Sequence, residues 1–261
     1  RANGMVRCEG SGILVLKRLS DAQAAGDRIY AVVRASAVNH DGRSNGMLAP
    51  NPDAQEAVLR KAYKDAGIDP KTVDYIEAHG TGTILGDPIE ADALGRVVGK
   101  GRPADQPALL GAVKSNVGHL ESAAGAASIA KMALAIKNDK IPPSINYAGP
   151  NPYIDFDKER LRVADEVTEW PRYSGHKIAG ISGFGFGGAN AHLVLREVLP
   201  SDLVEPEPVS APADAAPSES EANAVYVGGV RMDEYGEFIH DDADDVAAHG
   251  DADDAAFYGR V

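Results

Sequence analysis

Two short segments carry residue types able to do chemistry: EAHGTGT, from Glu77 to Thr83, and KSNVGH, from Lys114 to His119. Each sets a histidine just beyond an apolar, strand-like run, VDYIEA in one case and LLGAV in the other. Two imidazoles arriving from neighbouring strand ends can aim their N–H groups at one atom. A pair of such donors on a thioester oxygen would stabilise the enolate left when a carboxylated acyl thioester loses carbon dioxide, and an enolate makes carbon–carbon bonds. Donors that share one oxygen at about 3 Å each stand no more than roughly 6 Å apart. Such chemistry also needs a thiolate to carry a second acyl chain. The lone cysteine, Cys8, stands in MVRCEGSG, which lacks the small-residue turn that exposes a nucleophile, so Cys8 is not assigned that role.

Other groups are read around this pair. His119 is expected to open a helix, whose positive end would keep the ring neutral and able to donate. Lys114 can orient the loop or offer positive potential to a departing carboxylate, with Glu90 and Glu121 as partners; the bland reading is a solvated lysine. Asp87 and Glu90 also read as a cap and a helix-face charge. His40, His176, His192, His240 and His249 default to structural roles. The segment GFGFGG (183–188) has the spacing of a dinucleotide loop, yet a dinucleotide loop must open a helix and ANAHLVLREV continues as strand. Its glycines are therefore read as bringing backbone N–H groups to a substrate, with Phe184 and Phe186 as a movable wall. His79, Asp87 and His119 match none of the usual metal-ligand spacings, and no metal is assigned.

Charge narrows the function classes. Residues 1–197 hold 24 Lys and Arg against 23 Asp and Glu, whereas residues 198–261 hold 2 against 16. A near-neutral body without a basic stripe excludes a phosphate-binding surface for nucleic acid. One cysteine makes no internal disulfide, no apolar run reaches bilayer length, and no signal pattern stands at the N-terminus, so a cytoplasmic protein is expected.

Periodicity predicts the elements that position the site. A strand over 29–38 is followed by a helix over 50–67 ending on Gly67, a strand over 73–78, a helix over 87–99 capped by Asp87, and a strand over 109–113. A helix over 119–138, small and apolar on most faces, reads as buried between layers. After an irregular Pro-rich stretch (141–176), strands over 177–184 and 191–198 are joined by the Gly-rich turn. The order β-α-β-α-β-α-β-β predicts an α/β fold with a five-stranded mixed sheet, four strands mostly parallel and the last antiparallel. The loops HGTGT, SNVGH and GFGFGG then meet at the carboxyl edge of the sheet. Ile13 to Leu16 reads as a strand whose partner would lie in a sheet upstream, as though the chain were entered partway through a domain. Residues 199–261 read as an acidic, Pro- and Ala-rich linker, interrupted at 225–239 by a short hairpin turning near Glu234 to Gly236.

The segments EAHGTGTILGDPIEADAL, GAVKSNVGHLESAAGAASIAK and GISGFGFGGANAHLVL closely resemble the second half of a β-ketoacyl synthase domain of type I polyketide synthases. The likeness covers about residues 1–198, and VNHDGRSNG with the acidic, RMDEYGEFI-containing tail most resembles the mycolic-acid condensing type of mycobacteria and their relatives. The resemblance implies a thiolase-like fold of two duplicated halves, with residues 1–28 ending the first half and 29–198 forming the second, usually in a homodimer. It implies catalytic roles for His79 and His119, support from Lys114 and Glu90, and a nucleophilic cysteine upstream of Arg1. Thr81 and Thr83 would contact the phosphopantetheine arm of an acyl carrier protein. Phe184, Phe186, Gly187 and Asn190 would line the substrate side, with Phe186 as the gating phenylalanine. No cofactor would be bound directly; the implied partners are the carrier protein, the upstream ketosynthase half and an adjacent acyltransferase domain. Two alternatives stay open at this point, a non-condensing homologue (a decarboxylase or chain-length factor) and a structural module with a partner-binding acidic tail.

Overall fold

The computed structural model describes residues 4–44, 46, 49–203, 225–227 and 230–232 of the chain. They belong to two units, Arg1–Val204 and Glu205–Val261. In the first, a short helix α1 (Leu19–Ala24) leads to strand β1 (Val32–His40) and helix α2 (Pro52–Ala66). Local chemistry fixes both ends of α2. Asn51 accepts the N–H groups of Asp53 and Ala54 at 3.0 and 3.3 Å, Pro52 fills the first turn where no N–H is needed, and Gly67 closes the helix at φ +63°. Ala54, Val58, Leu59, Ala62, Tyr63 and Ala66 recur at helical spacing and are all buried. Each large apolar side chain so buried stabilises the fold by about 1.5–3 kcal/mol.

Strand β2 (Tyr75–Glu77), helix α3 (Gly86–Leu94), strand β3 (Ala108–Gly111), the single turn α4 (Lys114–Val117) and helix α5 (Ala124–Asn138) follow. A second single turn, α6 (Phe156–Glu159), precedes β4 (Leu161–Val163), and β5 (Ile178–Phe184) and β6 (Ala189–Arg196) complete the unit. The sheet order is β1-β6-β5-β2-β3-β4, with β6 antiparallel to both neighbours and every other pairing parallel. Period-two alternation splits the strands between two layers. Ile76, Ala108 and Ile178 pack with α2 and α3 on one face, and Tyr75, Leu109, Ala179 and Ile181 pack with α5 on the other.

Four expectations need correction. The sheet has six strands, because Leu161–Val163 in the irregular stretch pairs with β3 at its edge. The helix expected over 87–99 is α-helical only to Leu94 and continues as a π turn over Gly95–Gly99. There the chain of α6 comes so close that a Cβ on Gly99 would meet the backbone carbonyl of Glu159, and one on Gly95 its carboxylate. Asp87 lies inside the first turn of α3 instead of capping it. Residues 13–16, expected to pair with a sheet upstream, pair with no strand among the described residues, and Ile13 and Val15 are 95 % and 91 % exposed. Helix α5 buries one face, through Ala124, Ser128, Met132, Ala135 and Ile136, and leaves Leu134 exposed.

In the second unit β7 (Val225–Val227) pairs with β8 (Val230–Met232), Val227 opposite Val230. The reversal expected near Glu234 to Gly236 thus comes earlier, between Val227 and Val230. Of the linker expected over 199–261, residues 204–224, 228–229 and 233–261 lie outside the described residues.

His192 in β6 is fully buried, its Nδ1 3.1 Å from Ser182 Oγ and its Nε2 3.0 Å from Tyr63 Oη. Burial pushes its imidazole down to about 3. An unfolded histidine takes its proton near 6.5, so acidification from about 6.5 towards 3 favours the unfolded chain, by about 1.4 kcal/mol per pH unit. Between pH 7 and pH 5 the protein is expected to lose about 2 kcal/mol more stability than a His192→Gln variant, measured by urea unfolding. Titration of the His192 ring between pH 5 and 7 by NMR would contradict this.

Candidate active site

Strands β5, β2 and β3 are adjacent and parallel, so the loops after them open on one edge of the sheet. His79 stands two residues past β2 and His119 eight past β3, with ring centroids 5.6 Å apart and planes at 84°. The two rings thus stand edge to face as direct neighbours.

Backbone hydrogen bonds fix how each ring presents itself. The N–H of Phe184 donates to His79 Nδ1 at 3.3 Å, and the N–H of Glu121 donates to His119 Nδ1 at 3.0 Å. A neutral imidazole whose Nδ1 accepts carries its proton on Nε2. Both rings are therefore set as Nε2–H donors. Burial pushes His79 down to about 3, helped by the charge of Lys114 and by His119. His119 is lowered by burial and then by Lys114. The expected helix-dipole cause does not hold, since His119 precedes a short 3-10 turn (Glu121–Ala123) and α5 starts only at Ala124.

Glu90, on α3, holds the first loop. Its two oxygens accept the N–H groups of His79 and Gly80 at 2.8 and 2.9 Å, and burial raises its carboxyl to about 7 despite those bonds. Asp87 accepts the Gly82 N–H at 3.0 Å. Gly80, at φ +47°, lets this loop meet the second: a Cβ there would lie 2.8 Å from Ala112 Cβ. Lys114 is half-buried, and its pKa is lowered by burial against the opposing pull of Glu90, Glu77 and Asp87. Glu121 pairs with Arg7 at 2.8 Å instead of with Lys114.

Thr81 and Thr83 are half-buried, their hydroxyl oxygens 3.1 Å apart, and Thr83 Oγ1 accepts the Gly86 N–H at 3.1 Å. Phe184 packs on His79 with centroids 5.4 Å apart, whereas Phe186 is 82 % exposed beside an exposed Gly187 at φ +94°. Asn190 is not gathered with the histidines. Its buried amide donates to Asn39 Oδ1 at 3.1 Å and Asp41 Oδ1 at 2.7 Å, holding β6 to the end of β1. Among the described residues no three His, Cys, Asp or Glu side chains are grouped to hold a metal ion. A cavity of about 710 Å³ beside β4 shares no residue with the histidine loops.

Sequence reasoning missed two sets of residues. Residues 4–8 run against both loops: Gly4 N–H donates to Gly82 O at 3.0 Å, His119 N–H to Val6 O at 2.8 Å, and Cys8 N–H to His119 O at 2.9 Å. Gly118, at φ +79°, makes room for this, since a Cβ there would lie 3.0 Å from Cys8 Sγ. Nothing in the sequence signals that contact. The second set, Glu77 and Lys131, did leave a signal: Lys131 is a lone charge in the apolar run AASIAKMALAI, and Glu77 ends the strand-like run VDYIEA with the opposite sign.

Comparison with known proteins shows the family. Residues 30–148 match the family described as β-ketoacyl synthase, C-terminal domain, and residues 150–228 match the ketoacyl-synthetase C-terminal extension. The chain is 58 % identical over 196 residues to one of the phenolphthiocerol/phthiocerol polyketide synthase proteins of Mycobacterium tuberculosis, covering 75 % of this chain and 10 % of that one. It is 46 % identical over 217 residues to the spectinabilin polyketide synthase system protein NorA of Streptomyces orinoci, 83 % of this chain and 11 % of that one. Among solved structures it resembles a ketosynthase domain of the bacillaene synthase from Bacillus subtilis, with TM-score 0.67 and 39 % identity over 70 % of this chain and 33 % of that one. The oxazolomycin ketosynthase domain OzmH KS7 from Streptomyces albus gives TM-score 0.66 and 42 % identity, covering 70 % of this chain and 32 % of that one. The chain thus spans about a tenth of the curated relatives and a third of the solved ketosynthase chains. It belongs to the β-ketoacyl synthases of the polyketide synthase type, of which it carries the C-terminal domain and its extension.

Proposed function

We propose that this chain supplies the decarboxylating half of a condensing site that joins carrier-bound acyl thioesters. The observation that carries the reading is the pair of Nε2–H donors, each fixed by a backbone N–H on its Nδ1, on rings 5.6 Å apart. In the proposed reaction the Cα–carboxylate bond of an α-carboxylated acyl thioester breaks and carbon dioxide leaves. The electron pair passes to the thioester as an enolate, whose oxygen accepts both N–H groups. The enolate carbon then attacks the acyl thioester formed on an upstream cysteine, and the thiolate leaves. Neutral rings suit this role, because they donate without protonating the enolate. Lys114 contributes positive potential for the departing carboxylate, and Glu90 holds the His79 loop.

Thr81 and Thr83 present paired hydroxyls beside His79, which suits the amide-bearing phosphopantetheine arm of a carrier protein. Phe184 forms a wall against His79, exposed Phe186 is the gating residue, and Gly187 and Asn190 support their loop. The partners are the carrier protein, the upstream ketosynthase half, an adjacent acyltransferase domain and a second copy of the synthase, in the cytoplasm. No helix among the described residues is long and apolar enough to cross a membrane. In the finer reading both acyl chains are very long fatty groups, as in mycolic-acid condensation. That rests on the wording of the sequence, and the 58 %-identical relative is named for phenolphthiocerol/phthiocerol synthesis.

The test uses the complete ketosynthase, with its upstream cysteine blocked by alkylation, and a carrier-bound thioester labelled in the α-carboxyl group. Labelled carbon dioxide is expected to be released without any new carbon–carbon bond. Absence of release from the blocked and the unblocked enzyme alike would overturn the reading.

A further inference from the structure

Strand β2 ends on Glu77, which is fully buried in an otherwise apolar layer. Its Oε2 accepts from Lys131 Nζ at 2.6 Å and from Tyr75 Oη at 3.0 Å, and Lys131 also donates to Tyr75 Oη at 2.8 Å. Its Oε1 accepts the backbone N–H of Val113 at 2.6 Å. The β3 ladder ends at Gly111, so this N–H lies beyond the reach of the sheet. One carboxylate is thereby bonded to three places. It belongs to the strand two residues before His79, grips the loop one residue before Lys114, and anchors on the helix that follows His119.

A buried ion pair by itself is weak support for a fold, because apolar side chains of similar volume often replace one without loss. What apolar side chains cannot do is accept the Val113 N–H, and an orphaned buried N–H pulls its loop towards other partners. Glu90 and residues 4–8 hold the histidine loops from outside, through the backbones of His79 and Gly80 in one case and of Gly82 and His119 in the other. Glu77 joins the two loops from beneath.

We propose that Glu77, braced by Lys131 and Tyr75, is a positioning residue that sets the spacing of His79 and His119 by holding the Val113 N–H. The proposal rests on the decarboxylative reading of the two histidines. A loop displaced by about 1 Å is enough to lose much of a two-donor site's effect, because both donors must reach the same oxygen.

The test compares variants of the complete ketosynthase. Glu77→Met combined with Lys131→Met removes both charges together, so no lone buried charge remains, and leaves Val113 N–H without its acceptor. Carbon dioxide release from a carrier-bound α-carboxylated thioester is expected to fall about 10- to 100-fold in kcat, with KM and the rate of acyl loading onto the nucleophile each within about threefold. Glu77→Gln combined with Lys131→Met restores a carbonyl oxygen to Val113 and is expected to recover most of the loss. Unchanged release, loss of loading in step with release, or no recovery with glutamine would each overturn the proposal. In the unaltered enzyme the Val113 amide is expected to exchange with deuterium at least about 100-fold more slowly than an open-loop amide. Open-loop exchange would overturn the proposal even if neither variant folds. An unaltered enzyme that releases no carbon dioxide counts against the decarboxylative reading itself, whereas normal release with an unaffected variant counts against Glu77 alone.

Discussion

Alanine at His79 or at His119 in the complete ketosynthase is expected to slow carbon dioxide release about 100- to 1,000-fold, the usual cost of removing one donor from an oxyanion site. The size follows from where the donors sit. Both rings offer an Nε2–H to the proposed site because the N–H groups of Phe184 and Glu121 occupy their Nδ1 atoms, and burial favours the neutral form of both. No water molecule replacing a lost ring would be held in that orientation. Removing both histidines is expected to cost little more than removing one, since two donors on one oxygen act as a unit. Acyl loading of the upstream cysteine is expected to survive in each variant, because it does not pass through the enolate. A variant that releases carbon dioxide at the unaltered rate, or that loses loading and release equally, would remove the shared-oxygen mechanism. The two rings differ in one respect. His79 is the more deeply buried and packs on Phe184, so alanine there also opens a void, and a small added loss of stability is expected at 79 and not at 119.

Valine at Gly180 is expected to cost about 2–6 kcal/mol, a large part of the stability of an ordinary domain. Gly180 lies in β5 beneath the His192–Tyr63 pair. A Cβ there would meet Tyr63 Oη and lie 2.8 Å from both Cε1 and Nε2 of His192. None of these atoms can move freely, since Tyr63 is held by the buried face of α2 and His192 by Ser182. Overpacking costs about 1–3 kcal/mol, and separating His192 from Tyr63 adds about 1–3 kcal/mol for buried polar groups left without partners. Urea unfolding with a midpoint shifted well below that of the unaltered protein checks the expectation. A shift under about 1 kcal/mol would show that the β5–α2 layer is looser than its geometry implies.

Much of this was legible from residue order. The strand-helix alternation, the Gly67 stop of α2 and the apolar face at helical spacing are local, and local chemistry decides them. The adjacency of the three site loops also followed, because parallel strands joined by helices must deliver their carboxyl ends to one edge. The edge strand β4 was not legible. Three residues, Leu161–Val163, carry no period long enough to read, and they become a strand only because β3 offers a free edge. The π turn at Gly95–Gly99 follows from the approach of α6, some 60 residues later in the sequence.

The site divides in the same way. Sequence by itself determined which residues could do the chemistry, because a histidine past the end of a strand is a fact of type and spacing. Only the tertiary structure decided which nitrogen of each ring accepts and which is left to donate. That depends on the N–H of Phe184 for His79, 105 residues away, and on a turn at Glu121 whose form the sequence misreads as the start of a helix. The same holds for Asn190, whose amide is bound to Asn39 and Asp41, for residues 4–8 against His119, and for Glu77 beneath Val113. Hydrogen bonds between distant segments are set by how whole layers pack, and no local pattern of residues encodes that distance.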